Sequence, residues 1–435
     1  MPDRPYRALN DWIAREAIPF SLDSPKALNN AVDSMTAALG DSVELLGLGE
    51  ALHGGEEGLI LRNRLFERLA TAHGYSAIAI ESSFPRGCLV DGYVAGRGPA
   101  SYAAVQDAGF SHGFGRLDAN RELVEWMREY NADPAHRIKL RIYGFDTPTE
   151  FGSSDSPRRL LQFVLDYLSS VDSAAGAAYR ERIEALLGDD ADWEDPATVF
   201  DPTKSVGQSP AATALRVETE DLIAELHARR PELRVLSGND RYREAMQYAA
   251  AARQLLNYHA ALARNPGDRV SRLLGMRDAA MADNLAYMVA RERDRGGRVF
   301  AFAHNSHLQR GKMEWRFGTD LYEWHPAGAH LDAIFGPRYA VVGSAVGVSD
   351  ENGIGRPEPG TLEALLTAGP GPVRLIPTHR GERLSGSATA TLPTRRGSTK
   401  NPGYFPLTPR SLTDFDWLAV LDATGYARGG PPLQQ

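Results

Sequence analysis

The sequence predicts an α/β fold: a central, mostly parallel or mixed sheet flanked by helices, with a large helical insertion. Three observations predict it. Short apolar runs alternate with amphipathic helical patterns in the first and last thirds, as parallel strands joined by crossover helices require. Between Ser156 and about Arg293 the helical periodicity is nearly unbroken and strand signals are almost absent. The chain has 435 residues, 43% of them apolar, enough to bury the core such a sheet needs.

Val43–Gly49 (VELLGLG) is a short apolar run ending in glycine, the pattern of a buried strand, and Arg62–Ala72 carries helical spacing. Tyr75–Glu81 (YSAIAIE) is the next strand, Ala119–Asn131 an amphipathic helix, and Ile138–Asp146 (IKLRIYGFD) a third strand. The middle reads as helices: Pro210–Arg230, Arg241–Ala263 and Val270–Arg295 all carry apolar stripes at helical spacing. Strands return at Arg298–His304, Tyr339–Gly347 and Phe415–Ala423, and Ser385–Gly403 reads as a polar loop. No internal repeat is visible. The chain therefore divides into residues 1–155, a first part of the α/β core; 156–295, a helical subdomain; and 296–435, the second part of the core.

The 48 basic and 56 acidic residues give a net charge of −8. That balance argues against a nucleic-acid partner and favours a small-molecule substrate. Cys88 is the single cysteine, so neither an intrachain disulfide nor a cysteine metal cluster can form. A reducing compartment follows. The first residues lack the apolar core of a signal peptide, and no run reaches the length of a membrane span. The expectation is a cytoplasmic protein without a membrane partner, either a monomer or a homodimer.

Ionisable residues gather where strands end. The stretch GLGEALHGGEE (Gly47–Glu57) puts Glu50 and His53 after the first strand. Glu81 closes the second, followed by Ser82 and Ser83. Asp146 closes the third, and HNSH places His304 and His307 at the end of the strand near residue 300. Ligands of open parallel sheets bind outside the carboxyl ends of the strands, so these four ends can converge on one site. Taken singly, each group has a structural alternative. Glu50 can neighbour a helix cap, His53 can lie on a surface loop, and Glu81 can form a buried ion pair with Arg62 or Arg86. His112, in a glycine-rich turn, is either a further site group or a solvent-facing residue. Asp146, Arg277 and Asp278 are secondary substrate-binding candidates, the last two also readable as an ion pair with each other.

The chemistry open to this set is narrow. A neutral histidine oriented by Glu50 or Glu81 can take a proton from water near pH 7. A second histidine pair can meet an oxyanion, and Arg62 can hold a carboxylate through two parallel hydrogen bonds. Hydrolysis of an ester or amide suits such a set. No G-x-S-x-G nucleophile elbow, H-E-x-x-H, phosphate-binding P-loop or dinucleotide fingerprint is present. His53, His304, His307 and Glu50 would make a nitrogen and oxygen metal set, but not in a stereotyped spacing. No cofactor or metal is expected.

GLGEALHGGEE, AIAIESSFP, YGFDTP, MRDAAMADN and FAFAHNSHL occur in the order seen in the erythromycin esterase family, and the sequence resembles that family over roughly residues 35–425. The resemblance implies a mixed-sheet α/β domain with a large helical part, shared with haem-binding iron-uptake lipoproteins. It implies hydrolysis of a macrolactone ester by water, activated by a histidine base without a covalent intermediate or an obligatory metal. By motif the base corresponds to His53, with Glu50, Arg62, Glu81, His304 and His307 as its companions. Resistance-type members carry tryptophans after the second strand, where this chain has DAGFSHGFGRLDANREL (Asp107–Leu123), and Leu52 stands where many relatives have threonine. The implied substrate is a lactone, ester or amide of a secondary metabolite rather than erythromycin. Transfer, cyclisation or elimination at the same site is an alternative, and so is haem or small-molecule binding without turnover.

Overall fold

The computed structural model describes residues 3–150, 153–265, 267–378 and 392–431. Twelve strands occur among them. β1 (Ile18–Phe20), β2 (Leu45–Glu50), β3 (Tyr75–Ser83) and β4 (Arg141–Asp146) precede a two-stranded ribbon of β5 (Thr149–Glu150) and β6 (Ser153–Ser154). β7 (Arg298–His304) is followed by a second ribbon, β8 (Met313–Phe317) with β9 (Asp320–Trp324), and then by β10 (Tyr339–Val348), β11 (Val373–Pro377) and β12 (Trp417–Ala423). The main sheet has eight strands in the order β1-β11-β12-β10-β2-β7-β3-β4. Its pairings from β12 to β4 are all parallel, and the pairs β1–β11 and β11–β12 are antiparallel. The fold is thus mixed α/β, with the parallel strands at its centre.

The two faces of the sheet differ in side-chain size. Because successive residues of a strand point to opposite faces, Ala77, Ala79, Val299, Ala301 and Ala303 lie on one side and Ile78, Ile80, Phe300 and Phe302 on the other. The small face lets the long helix Arg269–Asp294 approach β3, β4 and β7 closely. The large face packs against the helices Pro25–Leu39, Glu56–Ala72 and Asp118–Ala132, with Phe66 stacked on Phe300 at a centroid distance of 6.1 Å. Between β6 and β7 every regular element among the described residues is helical.

Two strands escape the sequence patterns. β1 has only three residues, too few to show a period. β11 (VRLIP) interrupts its apolar run with Arg374, whose buried guanidinium is satisfied by the carbonyls of Leu366 and Pro370 and by Asp422. In the polar loop read at Ser385–Gly403, the residues up to 391 lie outside the described ones; from Leu392 to Gly403 there is no helix or strand. Among the described residues no helix is long and apolar enough to cross a membrane.

Asn305, just beyond β7, reaches past the end of β2 to β10. Its side chain donates to the Ser344 carbonyl at 2.9 Å and accepts from the Ser344 amide at 3.0 Å. A Cβ at residue 49 would collide with the Asn305 side-chain oxygen and come within 3.0 Å of its Cα. Glycine is therefore required at 49 for space. Gly49→Ala is expected to destabilise the protein by about 1–3 kcal/mol, as overpacking does. Chemical denaturation measures this, and unchanged stability would contradict the close approach of Asn305 to Gly49.

Candidate active site

The loop after β2 is rich in glycine but firmly held. Gly54 adopts a positive φ of 76° against Tyr426, and the helix Glu56–Ala72 begins at once with two glutamates in its first turn. Carboxylates there are favoured by the helix dipole, and both are tied down. Glu56 accepts from the amide and guanidinium of Arg428 at 2.9 and 2.7 Å, and Glu57 accepts from the Gly425 amide at 2.7 Å. On the other side the Phe405 amide donates to the Ala51 carbonyl at 2.7 Å and Asn401 donates to the His53 carbonyl at 3.4 Å. Leu52 is buried in the core beneath.

That frame sets His53 against Glu50, the last residue of β2. Nδ1 of His53 lies 2.6 Å from a Glu50 oxygen, and its Nε2 has no protein partner among the described residues. The side chain is 38% exposed. Desolvation at the cleft floor opposes a charge on the ring, but the Glu50 charge and hydrogen bond, helped by Glu81, outweigh it and raise the pKa above 6.5. The ring stands 5.0 Å from that of His304 and 5.6 Å from Phe114.

His304 and His307, three residues apart, sit in opposite environments. His304 ends β7 in register with Glu50. Its Nε2 donates to the Gly403 carbonyl at 2.7 Å, and Nδ1 accepts from Ser306. Burial, then the neighbouring His53, depress its pKa to about 3. It is a neutral ring of fixed tautomer. His307 has Nδ1 2.6 Å from Asp278 and Nε2 3.3 Å from Glu81. Burial disfavours its charge, but Asp278 and Glu81 override this and lift the pKa to about 10. His307 is therefore an imidazolium at neutral pH.

Around it the carboxylates are shared out. Glu81 accepts from the His304 amide at 2.9 Å and from Arg277 at 3.2 Å. Despite burial, His307, His53 and Arg277 hold its pKa well below the usual range. Asp146, fully buried, takes both Nε and Nη2 of Arg277, at 3.0 and 2.6 Å, together with the Thr147 amide. Burial opposes ionisation there too, but Arg277 keeps the pKa low. Arg277 and Asp278 meet at His307, Arg277 Nη1 lying 3.3 Å from its Nε2 and Asp278 2.6 Å from its Nδ1, and they do not form an ion pair with each other. Asp278 is completed by Trp324 Nε1 at 2.5 Å and the Ala327 amide at 3.1 Å.

Arg62 is placed differently. It is 1% exposed and donates to Asn63, Asn120 and the Ala119 carbonyl, with its guanidinium 4.9 Å from the Phe302 ring centroid. Among the described residues no carboxylate pairs with it, and burial lowers its pKa to about 10. It faces a cavity of about 20 Å³ lined by Glu50, Glu81 and Phe114, roughly the room one water needs. His112 lies 3.8 Å from Asp146 with its ring 5.4 Å from Phe114. All ten candidate residues therefore surround the carboxyl ends of β2, β7, β3 and β4. Among the described residues no group of three or more His, Cys, Asp or Glu side chains is arranged to hold a metal ion.

Several site residues had no usable sequence signal. Trp324 and the Gly403 carbonyl reach in from regions remote in sequence. A buried indole N–H needs an acceptor, which flags Trp324 without saying where the acceptor is.

A family model described as erythromycin esterase matches residues 70–424. The chain belongs to the erythromycin esterase family. It is an esterase-type hydrolase. The match includes Glu81, Asp146, Arg277, His304 and His307, and begins after Glu50, His53 and Arg62. Erythromycin esterase type II of Escherichia coli is 24% identical over 349 residues, covering 77% of this chain and 76% of that protein. Three solved structures share the fold at 18% identity. A Bacillus cereus protein superposes with a TM-score of 0.76, covering 98% of this chain and 99% of its own. A succinoglycan biosynthesis protein gives 0.72, covering 98% of both chains. A histidine-to-asparagine mutant of the erythromycin esterase EreC, in its open conformation, gives 0.66 with 91% and 94% covered.

The opposed histidines have a measurable signature. His307 binds its proton more tightly in the folded chain than at its ordinary pKa of 6.5, so the stability it contributes is complete below pH 6.5. That contribution is lost as pH rises toward about 10. For His304 the sign reverses: its contribution is present above pH 6.5 and is lost as pH falls toward about 3. NMR titration is expected to show His307 charged and His304 neutral at pH 7.5, with Asp278→Asn lowering the His307 pKa. Two rings titrating together near 6.5 would contradict this assignment.

Proposed function

We propose that His53 is the general base of this esterase. Glu50 holds the imidazole so that Nε2 faces a water, which attacks the carbonyl carbon of a lactone or other ester. The observation that carries the reading is the 2.6 Å Glu50–His53 contact in a partly exposed ring whose second nitrogen is free. A base hydrogen-bonded to a carboxylate gains charge stabilisation as it takes the proton. No covalent enzyme intermediate and no metal are needed.

His304, neutral and fixed, forms the wall against which His53 packs. Negative charge growing on the carbonyl oxygen meets the positive pole formed by His307 and Arg277, which Glu81, Asp146 and Asp278 hold in place. Arg62 adds positive potential beneath Glu50. Residues 156–295 act as a helical subdomain whose last helix brings Arg277 and Asp278 to the site. The E. coli relative is named for erythromycin. Here the wall beside the base is built from Phe114 and a glycine-rich turn without tryptophan, which favours a lactone or ester of another secondary metabolite.

A panel of lactones and esters, read by mass spectrometry for addition of one water, tests the reading. His53→Ala is expected to lower kcat/KM by about 10²–10⁴-fold, the usual contribution of a general base. With wild-type protein, kcat/KM should rise with pH along a limb centred above 6.5, because His53 must be neutral to act. Glu50→Gln should move that limb to lower pH. Near-normal turnover by His53→Ala would remove the proposed base.

A further inference from the structure

We infer that His112 is the acid that protonates the departing alcohol, a role that fits the site to esters of unactivated alcohols, lactones included. The inference rests on the hydrolase reading with His53 as base.

Its first support is the backbone. His112 has φ = 58°, the one positive-φ residue other than glycine among the described residues. Non-glycine side chains avoid this region, and residues held there are kept in place by surrounding structure, often at functional sites. The surroundings here do so. Ser111, fully buried, accepts from the Ser83 amide at 2.7 Å, and its own amide donates to Ser82 Oγ at 2.9 Å. The two serines closing β3 thus clip the turn directly onto the sheet. Tyr102 donates to the Gly115 carbonyl at 2.8 Å, and a side chain at 115 would collide with the Gln106 carbonyl.

The second support is the state of the imidazole. Nε2 is buried without a hydrogen-bond partner, 3.8 Å from Asp146 Oδ2. A shift of under an ångström would make a hydrogen bond there. Nδ1 has no protein partner among the described residues. The arrangement repeats Glu50–His53 with the nitrogens exchanged: a carboxylate faces one ring nitrogen and the other is left for a ligand. Both imidazoles pack against Phe114, whose centroid is 5.6 Å from His53 and 5.4 Å from His112. The site therefore holds two carboxylate-backed histidines in contact with one apolar ring.

The step balances without another reactant. Water loses a proton to Nε2 of His53 as its oxygen bonds to the carbonyl carbon. The carbonyl–alkoxy bond then breaks, and its electron pair leaves with the alcohol oxygen, which takes the Nδ1 proton of cationic His112. His112 is left neutral with Nε2–H toward Asp146. Exchange with solvent then returns the proton from His53 and restores the one on His112.

Paired ester series test the assignment. Aryl esters leave without a proton, whereas alkyl esters and lactones need one. His112→Gln and His112→Asn remove the acid, and asparagine tolerates positive φ, so at least the second variant should keep the fold. Both are expected to lose about 10²-fold or more in kcat/KM on alkyl esters and lactones, while aryl ester cleavage stays within a few-fold of wild type. Equal losses on both series, or none on the alkyl series, in a folded variant would overturn the role of His112 and leave the hydrolase reading standing. Wild-type protein that cleaves neither series would overturn the hydrolase reading, and this inference with it.

Discussion

The site depends on one buried carboxylate. Glu81, at the end of β3, accepts from the His304 amide on β7, from His307 in the turn beyond it, and from Arg277 on the long helix of the helical region. A buried carboxylate is tolerated only when its oxygens are occupied. Breaking such a buried pair costs about 3–5 kcal/mol. Glu81 therefore binds sheet, turn and helix together, and its charge also helps raise the pKa of His53. The apolar strands bring these residues to one level of the sheet, and the carboxylate holds them there.

From this arrangement comes the unlike behaviour of two histidines that look alike in sequence. His304 points toward a backbone carbonyl and another histidine, where burial keeps it neutral. His307 points between two carboxylates, which keep it charged despite burial. His53 lies between these extremes: partly exposed, backed by one carboxylate, and free on one nitrogen. A group with that environment can exchange a proton during turnover. His307, charged until about pH 10, can contribute field but not a neutral base.

Much of the central sheet was legible because its strands are buried on both faces and therefore read as continuous apolar runs ending in ionisable residues. Glu50, Glu81, Asp146 and His304 were found by that rule. The antiparallel end of the sheet was not legible: β1 is too short, and β11 carries a buried arginine whose acceptors, carbonyls and Asp422, leave no mark in its own segment. Pairings across the chain were equally hidden. Helical spacing gave the stripe containing Arg277 and Asp278, yet their partners lie 131 and 29 residues away. Ser82 and Ser83 drew notice as strand-end hydroxyls, and their use as a clip for the His112 turn depends on Ser111, 29 and 28 residues on. The family motifs carried the site further than periodicity did, because they record which remote groups meet.

The central claim is that water activated by His53 attacks the ester directly. Single-turnover cleavage in heavy-oxygen water, with enzyme and product both weighed by mass spectrometry, tests it most directly. The account predicts one heavy oxygen in the carboxylate product and no acylated protein at any time during the reaction. An acyl adduct that forms and decays at the rate of turnover would contradict it.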